Sequence, residues 1–186
     1  MVHRDIKTQN VLFIDKITNE TKMVSAKLAD YGEVYDLDSK EYNFIKTHID
    51  EVDEFDCLTE YQGTIEYAPP EILQGDLRLL SKKSDIYSFG ILIWEVFTER
   101  RPFENHGMDL MDLSQLIIEE NLTPLKEKLE NGEIKEIEYL KETPIEIKEL
   151  VNKCLSKNVE ERPEISELIE ILLKIQEKYS LNYSTG

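Results

Sequence analysis

The sequence predicts an α+β fold, mainly α-helical, with one small β-hairpin near the N-terminus. Three observations lead there. Val11 to Ile14 and Ala26 to Ala29 are short strand-like runs, joined by a polar excursion from Asp15 to Ser25 that is longer than a tight hairpin needs. Ser84 to Phe97 is apolar nearly all round, as expected of a helix buried on all sides. Three later segments repeat apolar residues at helical spacing.

The chain opens on His3-Arg4-Asp5-Ile6-Lys7-Thr8-Gln9-Asn10, between apolar Met1-Val2 and the first strand-like run. This reads as strand, tight loop, strand, with Asp5, Lys7 and Asn10 as an acid, a base and an amide on the loop. Leu28-Ala29-Asp30-Tyr31-Gly32 ends the hairpin, and Gly32 permits a backbone turn there. Tyr31 has a ring that packs and a hydroxyl that needs a partner or water.

From Asp30 to Glu71 the chain is strongly acidic, with Asp36, Asp38, Glu41, Asp50, Glu51, Asp53, Glu54, Asp56 and Glu60. Lys40 and Lys46 are the only Lys or Arg between Asp36 and Glu60. Such a run is either a solvated loop or a regulatory segment, and Ser39, Thr47, Thr59 and Tyr61 supply hydroxyls within it. Gly63-Thr64-Ile65-Glu66-Tyr67-Ala68-Pro69-Pro70-Glu71 follows, its prolines stiffening the entry to a short helix.

In the central helix, Ser84 reads as the N-cap and Asp85 suits the positive end of the helix dipole. Leu110, Leu113 and Ile117 mark an amphipathic helix, and Gly132 among Glu and Lys marks a linker. Ile147, Leu150, Val151, Cys154 and Leu155 form another stripe, which makes Cys154 a packed core thiol. Glu161-Arg162-Pro163 opens a last helix with Ile165, Leu168, Ile169, Leu172 and Leu173 inward, and Tyr179 to Gly186 reads as a tail.

Composition bounds the function. A chain of 186 residues with 40% hydrophobic and 33% charged content is one soluble globular domain with a real core. A formal net charge of −17 works against nucleic acid and anionic membranes. Cys57 and Cys154 are far apart and lack metal-ligand spacing, which suits a reducing compartment. His48 and His106 sit in polar loops without metal-ligand company. No secretory signal or bilayer-length apolar run is present, so cytoplasm, with the nucleus as an option, is the expected location.

Taken in order, these motifs resemble those of eukaryotic protein kinases. His3 to Asn10 resembles the catalytic loop H-R-D-x-K-x-x-N, and Asp30-Tyr31-Gly32 stands where that family has D-F-G. Gly63 to Glu71 resembles G-T-x-x-Y-x-A-P-E, with Pro69 in place of the usual Ala. Ser84 to Gly90 resembles the S-D-x-x-S-F-G helix at the centre of the C-terminal lobe. The resemblance implies Asp5 as the group that orients the acceptor hydroxyl and Lys7 as the cation that steadies the transferring phosphoryl group. It implies Mg2+ on Asn10 and Asp30, ATP against these residues, and Leu12 as either the floor under adenine or an ordinary core leucine. Thr64 and Tyr67 become the substrate loop, with Thr64 bonded to Asp5 and Lys7. Asp85 becomes an acceptor for the backbone of the catalytic loop, Glu71 the buried partner of Arg162, and Arg4 a partner for a phosphate or carboxylate on the acidic segment. His3 and Gly32 take supporting roles, His3 by packing and hydrogen bonding rather than as a base.

Lys7 together with Thr64 implies Ser/Thr specificity toward a protein substrate, and the D-Y-G variant is similar to that of Roco-type kinases in the tyrosine-kinase-like group. The sequence contains no glycine-rich loop, V-A-I-K lysine or partner glutamate. The resemblance therefore implies a C-terminal lobe over residues 1–178 with a flexible tail at 179–186, an N-terminal lobe upstream in any active form, and no activity of this chain alone. The alternative is a noncatalytic kinase fragment or pseudokinase-like binding module. A nucleotide-binding switch is disfavoured because no G-x-x-x-x-G-K-[ST] occurs.

Overall fold

A computed structural model of the chain describes residues 1–14, 25–40, 43, 63–75, 77–104, 109–120, 122–128 and 134–183. The expectations placed on positions 15–24, on Glu41, Lys46, Thr47 and His48, on positions 50–61, and on His106 and Gly132 lie outside these residues.

The expected hairpin is present. Strand β1 (Val11–Phe13) pairs antiparallel with β2 (Ala26–Leu28), Val11 opposite Leu28 and Phe13 opposite Ala26. Immediately before β1, Thr8–Asn10 form a 3-10 turn, and the Asn10 carbonyl accepts from the Ala29 amide at 2.8 Å. This bond ties the end of β2 back to the loop.

Helix α1 (Pro70–Leu73) begins with proline at its first position, where the missing N–H costs nothing. Helix α2 (Lys82–Thr98) is the axis of the molecule. It starts earlier than expected, because Ser81 rather than Ser84 is the N-cap. The Ser81 hydroxyl accepts from Lys83 N, and the Ser84 hydroxyl accepts from Ser81 N in return, each at 3.2 Å. Two serines three residues apart can satisfy the helix end only with the first outside the helix and the second inside. Nor is α2 buried all round, since Val96 is exposed.

Helix α3 (Leu110–Glu119) is capped by Asp109, whose carboxylate accepts from the Met111 and Asp112 amides. It buries Leu113 and Ile117 but leaves Leu110, in its first turn, exposed. The stretch read as a linker contains a second hairpin, β3 (Lys126–Lys128) paired antiparallel with β4 (Ile134–Glu136). Helix α4 (Ile145–Cys154) packs on α2, burying Ile147, Leu150, Val151 and Cys154 in agreement with their spacing. Burial pushes the Cys154 thiol up to about 12, so it is an inert core group.

Helix α5 (Ile165–Tyr183) inserts Leu168, with Leu172, Ile171 and Ile175 partly buried beside it. Helical spacing turns Ile165, Ile169 and Leu173 inward as well, yet all three are exposed. One side of the apolar arc reaches the core and nothing in the described chain covers the other. The helix also continues through Tyr179, whose hydroxyl reaches Glu146 at 3.4 Å, so the segment read as a tail begins as helix.

The main core gathers Trp94, Ile91 and Tyr87 of α2 with α4 and Leu168. Val2, Ile72 and Leu80 form a second cluster, and Phe103, Leu113, Ile117 and Leu122 a third. No helix among the described residues is long and apolar enough to cross a membrane.

Candidate active site

The loop at residues 3–10 is fixed from below by Asp85 of α2. One carboxylate oxygen accepts from His3 N at 2.7 Å and the other from Arg4 N at 3.0 Å. Burial pushes the Asp85 carboxyl up while the two amides oppose it. Arg4 adopts φ 72, a left-handed conformation costing roughly 1–3 kcal/mol for a residue with a Cβ. The charged acceptor at its amide holds that turn in place. The Arg4 guanidinium lies over the Tyr35 ring, 5.3 Å from its centroid, and Val2 pairs with Tyr35 as an isolated bridge. The His3 ring is tilted against Tyr31, with centroids 5.3 Å apart.

Asp5 sits at the top of this loop, 7% exposed. Oδ1 accepts from the Thr64 hydroxyl at 2.7 Å, and Oδ2 takes Lys7 Nζ at 2.7 Å and Asn10 Nδ2 at 2.9 Å. Burial pushes this carboxyl up, but the bonds from Lys7, Thr64 and Asn10 and the charge of Lys7 outweigh it and hold it below its ordinary value. It is therefore an ionised acceptor at neutral pH. Lys7 Nζ also donates to the Thr64 hydroxyl at 2.8 Å, closing a triangle between Asp5, Lys7 and Thr64. Asn10 Nδ2 donates in addition to the Asp5 carbonyl at 2.8 Å. An amide whose nitrogen is committed to Asp5 presents its oxygen on the other side, where a hard cation can use it.

Asp30 follows the Ala29–Asn10 backbone bond, so the chain brings it to the same end of the hairpin as Asn10. It is exposed and left-handed at φ 61, and its Oδ1 receives a long 3.4 Å contact from Gly32 N. Tyr31 is exposed, and its hydroxyl finds the partner it needs in the Leu28 carbonyl at 3.0 Å. Among the described residues no group of three or more His, Cys, Asp or Glu could enclose a metal ion. An Asn oxygen and one exposed carboxylate suit Mg2+ shared with phosphate oxygens and water, and do not suit an all-protein cage. Leu12 is 56% exposed on β1, because the two-stranded hairpin has no layer among the described residues to bury it, and it makes no core contact there.

Beyond the Ile65–Tyr67 turn, Glu71 and Arg162 form the expected pair across 91 residues of chain, bidentate at 2.6 and 2.8 Å. The Arg162 guanidinium lies 4.9 Å from the centroid of the Tyr87 ring and also donates to the Ser156 and Lys83 carbonyls. Two carboxylate oxygens and two backbone carbonyls thus take four of its N–H donors, the kind of compensation a buried ion pair requires.

Three further residues were not singled out from sequence. Glu95 of α2 accepts from the Tyr67 hydroxyl at 2.5 Å and from the Thr8 hydroxyl at 2.9 Å, both on Oε2. An acid within the apolar C-terminal half of the helix was the available signal for Glu95; Thr8, at a variable position of its motif, gave none. Ser88 of α2 donates to the Tyr67 carbonyl at 2.8 Å, adding a second tie to the same turn.

Comparison with known proteins bears on the family. The family model for the protein kinase domain matches residues 1–172. "Probable serine/threonine-protein kinase gdt2" of Dictyostelium discoideum is 31% identical over 185 residues, covering 98% of this chain and 9% of that protein. "Dual specificity protein kinase shkA" of the same organism is 30% identical over 176 residues, 92% of this chain and 27% of its own length. Human "Mitogen-activated protein kinase kinase kinase 7" is 27% identical over 172 residues, 92% of this chain and 22% of its own. The chain thus spans about a quarter or less of the length of these relatives. With a domain match over nearly its whole length, the chain belongs to the protein kinase family.

Proposed function

We propose that this chain is the C-terminal lobe of a serine/threonine protein kinase, which transfers the γ-phosphate of ATP to a hydroxyl of a protein substrate. The observation that carries the reading is the Asp5 carboxylate, ionised and held on both oxygens by Thr64, Lys7 and Asn10. In this reading Asp5 accepts or orients the proton of the acceptor hydroxyl. Lys7 places a cation beside it, where negative charge is redistributed during transfer. Asn10 and Asp30 are the Mg2+ ligands, and bound Mg-ATP supplies the phosphoryl group and the charge neutralisation around it. Leu12 faces the adenine, while Thr64 and Tyr67 shape the substrate loop. His3, Arg4, Gly32, Glu71, Asp85 and Arg162 keep these groups in place.

The names of the gdt2 and kinase kinase kinase 7 proteins support the Ser/Thr assignment, while that of shkA keeps tyrosine as a second acceptor. Asp30-Tyr31-Gly32 supports a place in the tyrosine-kinase-like group with a Roco-like motif. We assign the lobe to residues 1–178, the active form to a protein that also has an N-terminal lobe, and the location to cytoplasm or nucleus. The charge of −17 favours a protein substrate over nucleic acid or an anionic membrane. A second reading, a noncatalytic kinase fragment that binds partners, draws on the exposure of Leu12, Phe13 and Asp30 on the nucleotide side.

The test uses the full-length protein that carries these residues. Asp5→Asn should lower turnover by roughly 10²–10⁴-fold with the fold retained. Asp30→Ala should instead weaken Mg-ATP binding. A parental protein that labels no substrate from γ-labelled ATP supports the noncatalytic reading. Parental rates in both variants would overturn the role assignments.

A further inference from the structure

Two turns meet over the C-terminal half of α2. The first, Thr8–Asn10, belongs to the loop that carries Asp5 and Lys7, and the second, Ile65–Tyr67, directly follows Thr64. At their leading ends the turns are joined by the Thr64, Asp5 and Lys7 triangle. Behind it they meet again on a single atom. Glu95 Oε2 accepts from the Thr8 hydroxyl at 2.9 Å and from the Tyr67 hydroxyl at 2.5 Å, and the two hydroxyl oxygens are 3.5 Å apart.

A threonine at the start of a 3-10 turn ordinarily uses its hydroxyl on nearby backbone or solvent. Here its alternative partner, Gln9 Oε1, is at 3.4 Å, while the shorter bond reaches Glu95 across 87 residues of sequence. Tyr67 is almost wholly buried, and burial together with the Glu95 carboxylate pushes its phenol up. It therefore remains a donor throughout the physiological range. A carboxylate oxygen taking two hydroxyl donors from two different loops ties those loops to one point, because both bonds end on the same ionised acceptor, that of Tyr67 short at 2.5 Å and that of Thr8 of ordinary length at 2.9 Å.

We propose that Thr8 is a positioning residue: its hydroxyl, through Glu95 and Tyr67, keeps the catalytic-loop turn and the substrate-loop turn in register, so that Lys7 and Asp5 meet Thr64 correctly. The consequence for phosphoryl transfer rests on the kinase reading above, while the register itself does not. Thr8 follows Lys7 directly, so loosening Thr8 lets the Lys7 backbone drift relative to Thr64. Small displacements of such groups lower rate more than binding.

The comparison is between Thr8→Val, which keeps the shape and removes the hydroxyl, and Thr8→Ser, which restores it. In the full-length protein, Thr8→Val should lower kcat about 3- to 10-fold with KM for ATP unchanged, and Thr8→Ser should return it to the parental value. Independently, amide hydrogen exchange on the 186-residue chain reads the register. The Tyr67 and Ala68 amides, bonded within their turn to the Thr64 and Ile65 carbonyls, should exchange faster in Thr8→Val and not in Thr8→Ser, with Val151 in α4 as a control for global stability. Faster exchange confined to the Asn10 turn, or equal acceleration at Val151, overturns the proposal. A parental protein without transferase activity defeats the kinase reading, and the exchange result then decides the register alone.

Discussion

Asp5 and Leu12 are near neighbours in sequence and sit in opposite surroundings. Asp5 is 7% exposed, and its carboxylate is bonded to Thr64, Lys7 and Asn10. Leu12 is 56% exposed on a three-residue strand with a single partner strand. The difference follows from what each can meet within the chain. The loop at Asp5 lies on α2, where Asp85 and Glu95 bind its backbone and its Thr8 hydroxyl, and where the core continues beneath. The β1–β2 hairpin has no second layer among the described residues, and two strands alone cannot bury an apolar face. One half of the site is therefore supported by the fold. The other half carries little of the fold's stability.

The largest effect should come from breaking the support. Arg162 is 1% exposed, and its side chain and that of Glu71 leave water only as a pair. Removing either partner strands a charge in the interior and should cost on the order of 3–5 kcal/mol. Arg162→Ala and Glu71→Ala should each lower the urea midpoint strongly, with the double variant losing much less than the sum. Additive losses would show that the pair is not what holds the segment that ends at Glu71 to the helices below it.

A smaller loss should follow from closing the gap between α2 and α4. A Cβ at Gly90 would stand 2.6 Å from the Cβ of Cys154, closer than real carbons approach. Both atoms are fixed to backbone, so the helices must separate. Gly90→Ala should therefore destabilise by roughly 1–3 kcal/mol, although alanine is the better helix former. Unchanged or raised stability in denaturation would mean that the two helices slide apart freely, and that the platform under Asp5 is softer than its packing suggests.

The same contrast governs how much the sequence disclosed. Asp5, Lys7 and Asn10 lie within one loop, so their spacing alone brought them together. Thr64, Asp85 and the Glu71–Arg162 pair are distant in sequence, and became legible only because their motifs occur in a familiar order. Thr8 and Glu95 had neither aid, since a threonine in a loop and an acid near the end of a helix do not name each other. Periodicity identified α4 correctly because the whole of its stripe is covered. It failed for Ile165, Ile169 and Leu173 because an apolar arc states what can be buried and not how wide the neighbouring surface is. The β3–β4 hairpin was missed for a related reason: Lys126–Lys128 and Ile134–Glu136 are mostly charged and carry almost no strand signal.

The smallest effect is expected where the fold offers least support. Leu12→Ser replaces an exposed apolar side chain on β1, opposite Lys27 in the register of the hairpin. It removes no buried contact and opens no cavity, and surface changes of this kind stay within about 0.5 kcal/mol. Serine also keeps the backbone amide and carbonyl that pair with β2, so the hairpin itself has no reason to open. Urea denaturation of the 186-residue chain should therefore give nearly the parental midpoint. In the full-length protein the same substitution should weaken binding of ATP, because an apolar surface for adenine is lost while Asn10 and Asp30 remain. A loss of about 2–5 kcal/mol in the isolated chain, the range of a large-to-small change in a core, would place Leu12 in the packed interior and remove the contrast between the two halves. Unaltered nucleotide affinity with unaltered stability would instead leave the contrast standing and withdraw Leu12 from the nucleotide site.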